Sequence, residues 1–91
     1  MTVKVKFFAY FRDLFGAREK DVEVGDGGPV RHVLDRIADT AERRGELFAG
    51  IDLKPHLVVM INGRHIHSLQ GLDTPLAAGD VVAVFPFLGG G

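Results

Sequence analysis

Val30-Arg31-His32-Val33-Leu34-Asp35-Arg36-Ile37-Ala38-Asp39-Thr40-Ala41 has the clearest periodicity in the chain. Val30, Val33, Leu34, Ile37, Ala38 and Ala41 fall at i, i+3, i+4, i+7, i+8 and i+11. That spacing places one apolar stripe on an amphipathic helix. Arg31, Asp35, Arg36, Asp39, Glu42 and Arg43 take the other side. The loop Gly25-Asp26-Gly27-Gly28-Pro29 leads in, with Asp26 or Gly28 as the cap and Pro29 suited to the first turn. Gly45 is expected to end the helix, and Arg43-Arg44 to complement the dipole as a solvated helix end. A single apolar stripe asks for a sheet face to cover it.

Strand signals lie on both sides of this helix. In residues 2–10, Val3, Val5, Phe7 and Ala9 alternate with Thr2, Lys4, Lys6 and Phe8, the period of a sheet with one buried face. Phe8 interrupts the polar face, which points to a partly covered second face or a partner. Arg12-Asp13-Leu14-Phe15 then Gly16 reads as a short helical turn closed by a left-handed glycine. Residues 19–24 read as a second strand, antiparallel to the first. Beyond the helix, residues 46–56 read as an irregular connector and 57–61 as an apolar strand. Asn62-Gly63 is the strongest short hairpin signal, because both residues tolerate positive φ. Residues 64–67 are then the return strand and 70–75 a turn-rich loop. Ala78-Gly79-Asp80 is a tight turn into a last strand, 81–85, where Pro86 removes a ladder donor and is expected to end the pairing. Two hairpin regions joined through one helix predict an α+β, β-grasp (ubiquitin-like) architecture. It is a mixed sheet of four to five strands gripping one main helix, with the last strand beside the first. The expected organisation is a domain over 1–86 and a tail over 87–91.

Ninety-one residues suffice for one core and are too few for two. Net charge is -1, so no basic excess argues for nucleic acid. No segment has the length of a membrane span and no signal-peptide layout opens the chain, which makes the cytoplasm the expected compartment. There is no cysteine, hence no disulfide, thiolate metal site or cysteine nucleophile on this chain.

Side-chain chemistry is thin. His32, His56, His65 and His67 lack the spacing of a metal site, and exposed or singly bonded histidines are the better account. Ser68 is the only serine and has no nucleophile elbow around it. Asp26-Gly27-Gly28 precedes a helix but lacks the Walker lysine and GxGxxG spacing, so it reads as a turn. Asp73 and Asp80 read as turn residues. What remains is the end, Phe85-Pro86-Phe87-Leu88-Gly89-Gly90-Gly91. Glycines have the most backbone freedom to lose and no side chain to pack. They suit a thin arm that carries the Gly91 carboxylate into a partner's narrow site. Adenylation would make that carboxylate an acyl donor, to a sulfur nucleophile or to an amine.

Several stretches resemble the MoaD/ThiS group of sulfur carriers, most closely the small subunit of molybdopterin synthase and its archaeal-type relatives. Residues 5–16 look like the family's opening strand and turn, and Val58-Val59-Met60-Ile61-Asn62-Gly63-Arg64 is similar to its central strand. Residues 72–76 and 79–86 resemble its closing loop and last strand, and Gly90-Gly91 matches its diglycine end. The resemblance implies that Gly91 is adenylated by a ubiquitin-activating-type enzyme using ATP, then thiocarboxylated with sulfur from a sulfurtransferase or cysteine desulfurase. The chain itself would bind no cofactor and would be a non-catalytic, sulfur-donating subunit. Its tail would enter the large subunit of molybdopterin synthase, in molybdenum or tungsten cofactor biosynthesis. By the same resemblance Gly90 threads behind Gly91, and Gly89, Leu88, Phe87, Pro86 and Phe8 contact partners. Phe87, Leu88 and Gly89 depart from the family's usual residues at those places, and the long 46–56 connector argues against the shorter thiazole carriers. Open alternatives are a ubiquitin-like modifier conjugated through Gly91, a carrier for thiazole or another sulfur-containing product, and a binding module that has lost the chemistry.

Overall fold

The computed structural model describes residues 1–86. Strand β1 (Thr2–Phe7) buries Val3, Val5 and Phe7 and leaves Thr2 and Lys6 exposed, as the alternation predicts. It stops short of residue 10 because Ala9 adopts φ 53, a left-handed backbone that turns the chain into helix α1 (Phe11–Phe15). Gly16 closes that helix at φ 71, as its sequence position suggests. Phe11 and Phe15 share the buried face of α1. Phe15 stacks on Phe7 at 4.4 Å and meets Phe11 edge-on at 5.6 Å. Strand β2 (Glu19–Glu23) returns antiparallel to β1, with Val22 opposite Val3.

Alanine at that φ is strained by about 1–2 kcal/mol, and glycine there costs about 0.4–1 kcal/mol in unfolded-chain entropy. Ala9→Gly is therefore expected to stabilise the fold by roughly 0.5–1 kcal/mol. Urea unfolding checks this; a lowered midpoint would show that the turn carries no strain.

Helix α2 (Val30–Ile37) buries Val30, Val33, Leu34 and Ile37. The stripe then breaks, where one continuous helix was expected. Thr40 starts a second helix, α3 (Ala41–Leu47), its hydroxyl accepting the Arg43 N–H at 3.0 Å. Ala41 is exposed, Gly45 lies inside α3 and Leu47 is the residue that α3 buries. The cause is local: Asp and Thr compete for backbone hydrogen bonds mid-helix and favour caps. Asp39 accepts a 2.7 Å bond from Arg43, which holds its carboxyl below the usual range. Arg43 is no solvated helix end, since it also donates to the Leu14 carbonyl at 2.9 Å and sits 5.8 Å over Phe15. It ties α3 to α1. Arg44 spans the break to Asp35 at 3.2 Å.

The expected irregular connector is instead the end of α3 and a small hairpin, β3 (Phe48–Ala49) and β4 (Asp52–Leu53), turning at Gly50 with φ 69. Strand β5 (Leu57–Ile61) matches its sequence reading, and Asn62 and Gly63 turn at φ 51 and 81. The return strand β6 is only Arg64–His65, because a 3-10 turn (Ile66–Ser68) carries Ile66 into the core. A second 3-10 turn, Gly71–Asp73, precedes β7 (Val81–Pro86). Asn62 donates its side-chain amide to Asp80 at 2.9 Å and accepts the Val81 N–H at 3.0 Å, while Asp80 accepts the Ala77 N–H at 2.8 Å. Turn and strand start are thus locked together.

The five-stranded sheet has the order β2-β1-β7-β5-β6. Strand β7 is central, parallel to β1 and antiparallel to β5, which makes the sheet mixed. Val5, Val30, Val33, Leu34, Val82 and Val84 are fully buried in one core between sheet and helices. This is the β-grasp arrangement, with α3 added beside the main helix.

Candidate functional site

Pro86, the last described residue, ends the central strand and not an edge. Pro86 stands in register with Leu57, so the ladder runs one residue beyond its expected end at residue 85. Pro86 is half-buried. Phe87, Leu88, Gly89, Gly90 and Gly91, on which most of the expected site falls, lie outside the described residues. The surroundings of Phe85 and Pro86 are described, and they are asymmetric.

On the outer face of the sheet, Phe8 stacks on Phe85, with ring centroids 4.2 Å apart and planes 9° apart. The left-handed backbone at Ala9 follows directly. Arg12 donates its Nε–H to the Phe7 carbonyl at 3.1 Å and holds its guanidinium 5.6 Å from the Phe8 ring. Phe85 pairs in register with Val58, and Ala83 with Met60. Cross-strand partners share a face, so Phe8, Phe85, Val58, Ala83 and Met60 form a half-buried apolar strip beside the tail root. Contiguous apolar surface of this kind marks interaction sites. Phe8 was legible as a break in alternation. Val58 and Met60 were not, because an uninterrupted apolar run hides which of its faces is inward.

Across Pro86 lies a cleft of about 310 Å³ lined by Tyr10, Phe11, Glu46, Lys54, Pro55, His56, Leu57 and Pro86. Partial burial, and then the Glu46 carboxylate beside it, hold the Tyr10 phenol above its usual range. Neither Tyr10 nor Glu46 carries a sequence signal, since they meet only through the α1–α3 packing.

The other candidates are placed apart. His65 and His67 stack at 4.6 Å, and His65 Nδ1 accepts the His67 N–H at 3.1 Å. Among the described residues no group of three or more histidine, aspartate or glutamate side chains is placed to hold a metal ion. Ser68 ends the first 3-10 turn. The loop before α2 does not offer its first helical N–H to an anion: Val30 N–H bonds the Thr74 carbonyl at 2.9 Å. Asp80 works in the turn lock described above. No described helix is long and apolar enough to cross a membrane.

The family model of the ThiS family matches residues 5–91. Small archaeal modifier protein 3 of Haloferax volcanii is 37% identical over 92 residues, covering 100% of both chains. A Haloferax volcanii protein solved in solution is similar at 36% identity and a TM-score of 0.86, covering 100% of this chain and 87% of that one. A structure described as a proposed molybdopterin converting factor subunit 1, from Pyrococcus furiosus, is 33% identical with a TM-score of 0.73, covering 94% and 97%.

Proposed function

This chain belongs to the ThiS family, and on that premise we propose that it is a sulfur carrier working through the Gly91 carboxylate. The observation that carries the reading is the extent of the match. It runs from residue 5 through Gly91, the residue on which the reading turns. In the proposed sequence a ubiquitin-activating-type enzyme joins the carboxylate to the α-phosphate of ATP and releases pyrophosphate. A sulfur nucleophile, supplied by a sulfurtransferase or cysteine desulfurase, then attacks the acyl carbon and expels AMP. Attack by a persulfide on that enzyme gives an acyl disulfide, and a thiol then cleaves its S–S bond, leaving the terminal thiocarboxylate and a disulfide on the sulfur donor. Gly90 and Gly89 suit passage through a narrow site, because no Cβ stands between their backbone and a partner's groups.

The chain's part is binding and presentation. The Phe8–Phe85 strip docks the activating enzyme, and Pro86 fixes where the arm begins. Phe87 and Leu88 supply the apolar contacts that choose among partners. The similarity to the Pyrococcus furiosus protein supports the narrower proposal that the acceptor lies in a molybdopterin synthase large subunit.

A second reading has its own support in the full-length similarity to a protein named as a modifier. There the same acyl adenylate is attacked by a lysine amine, giving an isopeptide. The two readings separate in one experiment on the native host. Trypsin digestion of its proteins, followed by mass spectrometry, reveals lysines bearing this chain's C-terminal remnant if it conjugates. Their absence, together with pyrophosphate release from ATP by the host's activating enzyme only when this chain is added, is the outcome expected for a dedicated carrier. No pyrophosphate release contradicts both readings.

A further inference from the structure

Strand β2 is the free edge on the N-terminal side of the sheet. Its hydrogen-bond phase follows from its neighbours. Phe7 N–H bonds the Arg18 carbonyl, and Val24 N–H bonds the Met1 carbonyl, so residues 18, 20, 22 and 24 direct their backbone groups at β1. Glu19, Asp21 and Glu23 therefore direct theirs away from the sheet. A five-residue strand thus presents three N–H and three C=O groups to an incoming chain.

The same three residues place carboxylates at alternate positions on the outer face, with side chains 51%, 70% and 69% exposed. Lys4 of β1 lies 3.2 Å from Glu19 and 3.7 Å from Asp21, and the N-terminal ammonium lies 3.8 Å from Glu23. Thr2 of β1 also donates its hydroxyl to Glu23, and all three carboxylates stay half or more exposed. A second copy of the chain is a poor occupant. Antiparallel pairing of two β2 edges about Asp21 would set Asp21 against Asp21 and Glu19 against Glu23, and like charges directly opposite are destabilising. A segment with cations at alternate positions meets no such penalty. Past the end of β2, a hollow of about 310 Å³ lined by Val24, Gly25, His32, Asp35 and Arg36 leaves room for a side chain from the end of such a segment.

We propose that the β2 edge is a second docking site, separate from the tail root, which adds an extended partner segment carrying Lys or Arg at every other residue. Backbone pairing supplies the affinity, and the three carboxylates choose the charge. This proposal does not depend on the sulfur chemistry.

The test uses the full 15N-labelled chain and three peptides: acetyl-Lys-Val-Lys-Val-Lys-Val-amide, its Glu-Val counterpart and the Lys-Val peptide methylated at every backbone nitrogen. The Lys-Val peptide is expected to shift the Glu19, Asp21 and Glu23 amides and to slow their hydrogen exchange by about tenfold at saturation. The Glu-Val peptide is expected to do neither. The methylated peptide has the charge but no backbone donors, and should give far smaller shifts. Asp21→Lys should weaken the Lys-Val response and strengthen the Glu-Val one, with an unchanged circular dichroism spectrum. No shift at the edge with Lys-Val means that the carboxylates only guard it, and overturns the proposal. Equal shifts with the methylated peptide mean charge attraction without pairing, and also overturn it.

Discussion

Deleting Gly91 is expected to abolish sulfur transfer while leaving the melting temperature unchanged. The core closes within the described residues, with Val82 and Val84 fully buried and the ladder running to Pro86, and the deletion leaves all of these in place. The proposed chemistry, in contrast, would depend on geometry at one carbon. Shortening the arm by one residue withdraws the acyl carbon by about 3.3–3.6 Å, beyond reach of a group poised at bonding distance. Gly90→Val tests passage rather than reach. The carboxylate remains, but a branched side chain now enters a site suited to bare backbone, and a loss of at least about a hundredfold is expected. Pyrophosphate release driven by each variant, beside thermal melting, checks both. A variant lacking Gly91 that still transfers sulfur would move the reactive group elsewhere. One that melts several degrees lower would make the tail structural.

The second large effect separates two adjacent phenylalanines. Phe7 is 1% exposed and stacked on Phe15. Phe7→Ala removes a buried ring and leaves a cavity, at a cost of about 3–5 kcal/mol. A small domain is stable by only about 5–15 kcal/mol, so this variant should lose a large share of its stability and melt far below the parent chain. Phe8 points the other way, onto Phe85 on the outer face. Phe8→Ala is expected to cost about 1 kcal/mol or less in stability, and to weaken binding to the activating enzyme by about tenfold or more. Urea unfolding and a titration against that enzyme read the two quantities separately. If Phe8→Ala destabilises as strongly as Phe7→Ala, the outer strip is core and not a docking surface. If it leaves binding untouched, docking lies elsewhere.

That pair shows how far the sequence could be read. The alternation of Val3, Val5 and Phe7 against Lys4 and Lys6 marked the inner face, and Phe8 stood out only because it broke the pattern. Leu57 to Ile61 was legible as a strand but not as two faces, because all five residues are apolar. Asn62-Gly63 was decisive, since tolerance of positive φ is a local property of these two residues, although the bonds from Asn62 to Asp80 and Val81 that hold the turn were not legible. The helix break between Ile37 and Ala41 was not legible, although Thr40 is a good cap. Ala38 and Ala41 continued the stripe, and periodicity counts alanine as apolar whether or not it is buried. Arg43 looked like a solvated cation because its partner, the Leu14 carbonyl, is far away in sequence. The β3–β4 hairpin was missed because two-residue strands leave no period to detect. At the tail root, Phe8 and Pro86 were read from sequence, whereas Arg12, Tyr10 and Glu46 required the packing of α1 against its neighbours.

Sulfur on Gly91 would show in the intact mass of the chain. The chain is purified from its native host without reducing or alkylating treatment, and its mass is taken whole. A population heavier by the replacement of one oxygen with sulfur is expected. Fragmentation should place that replacement on Gly91, and the population should vanish when the host's activating enzyme is deleted. A chain found only at its unmodified mass, in a host where another carrier of this family is thiocarboxylated, would contradict sulfur carriage on Gly91.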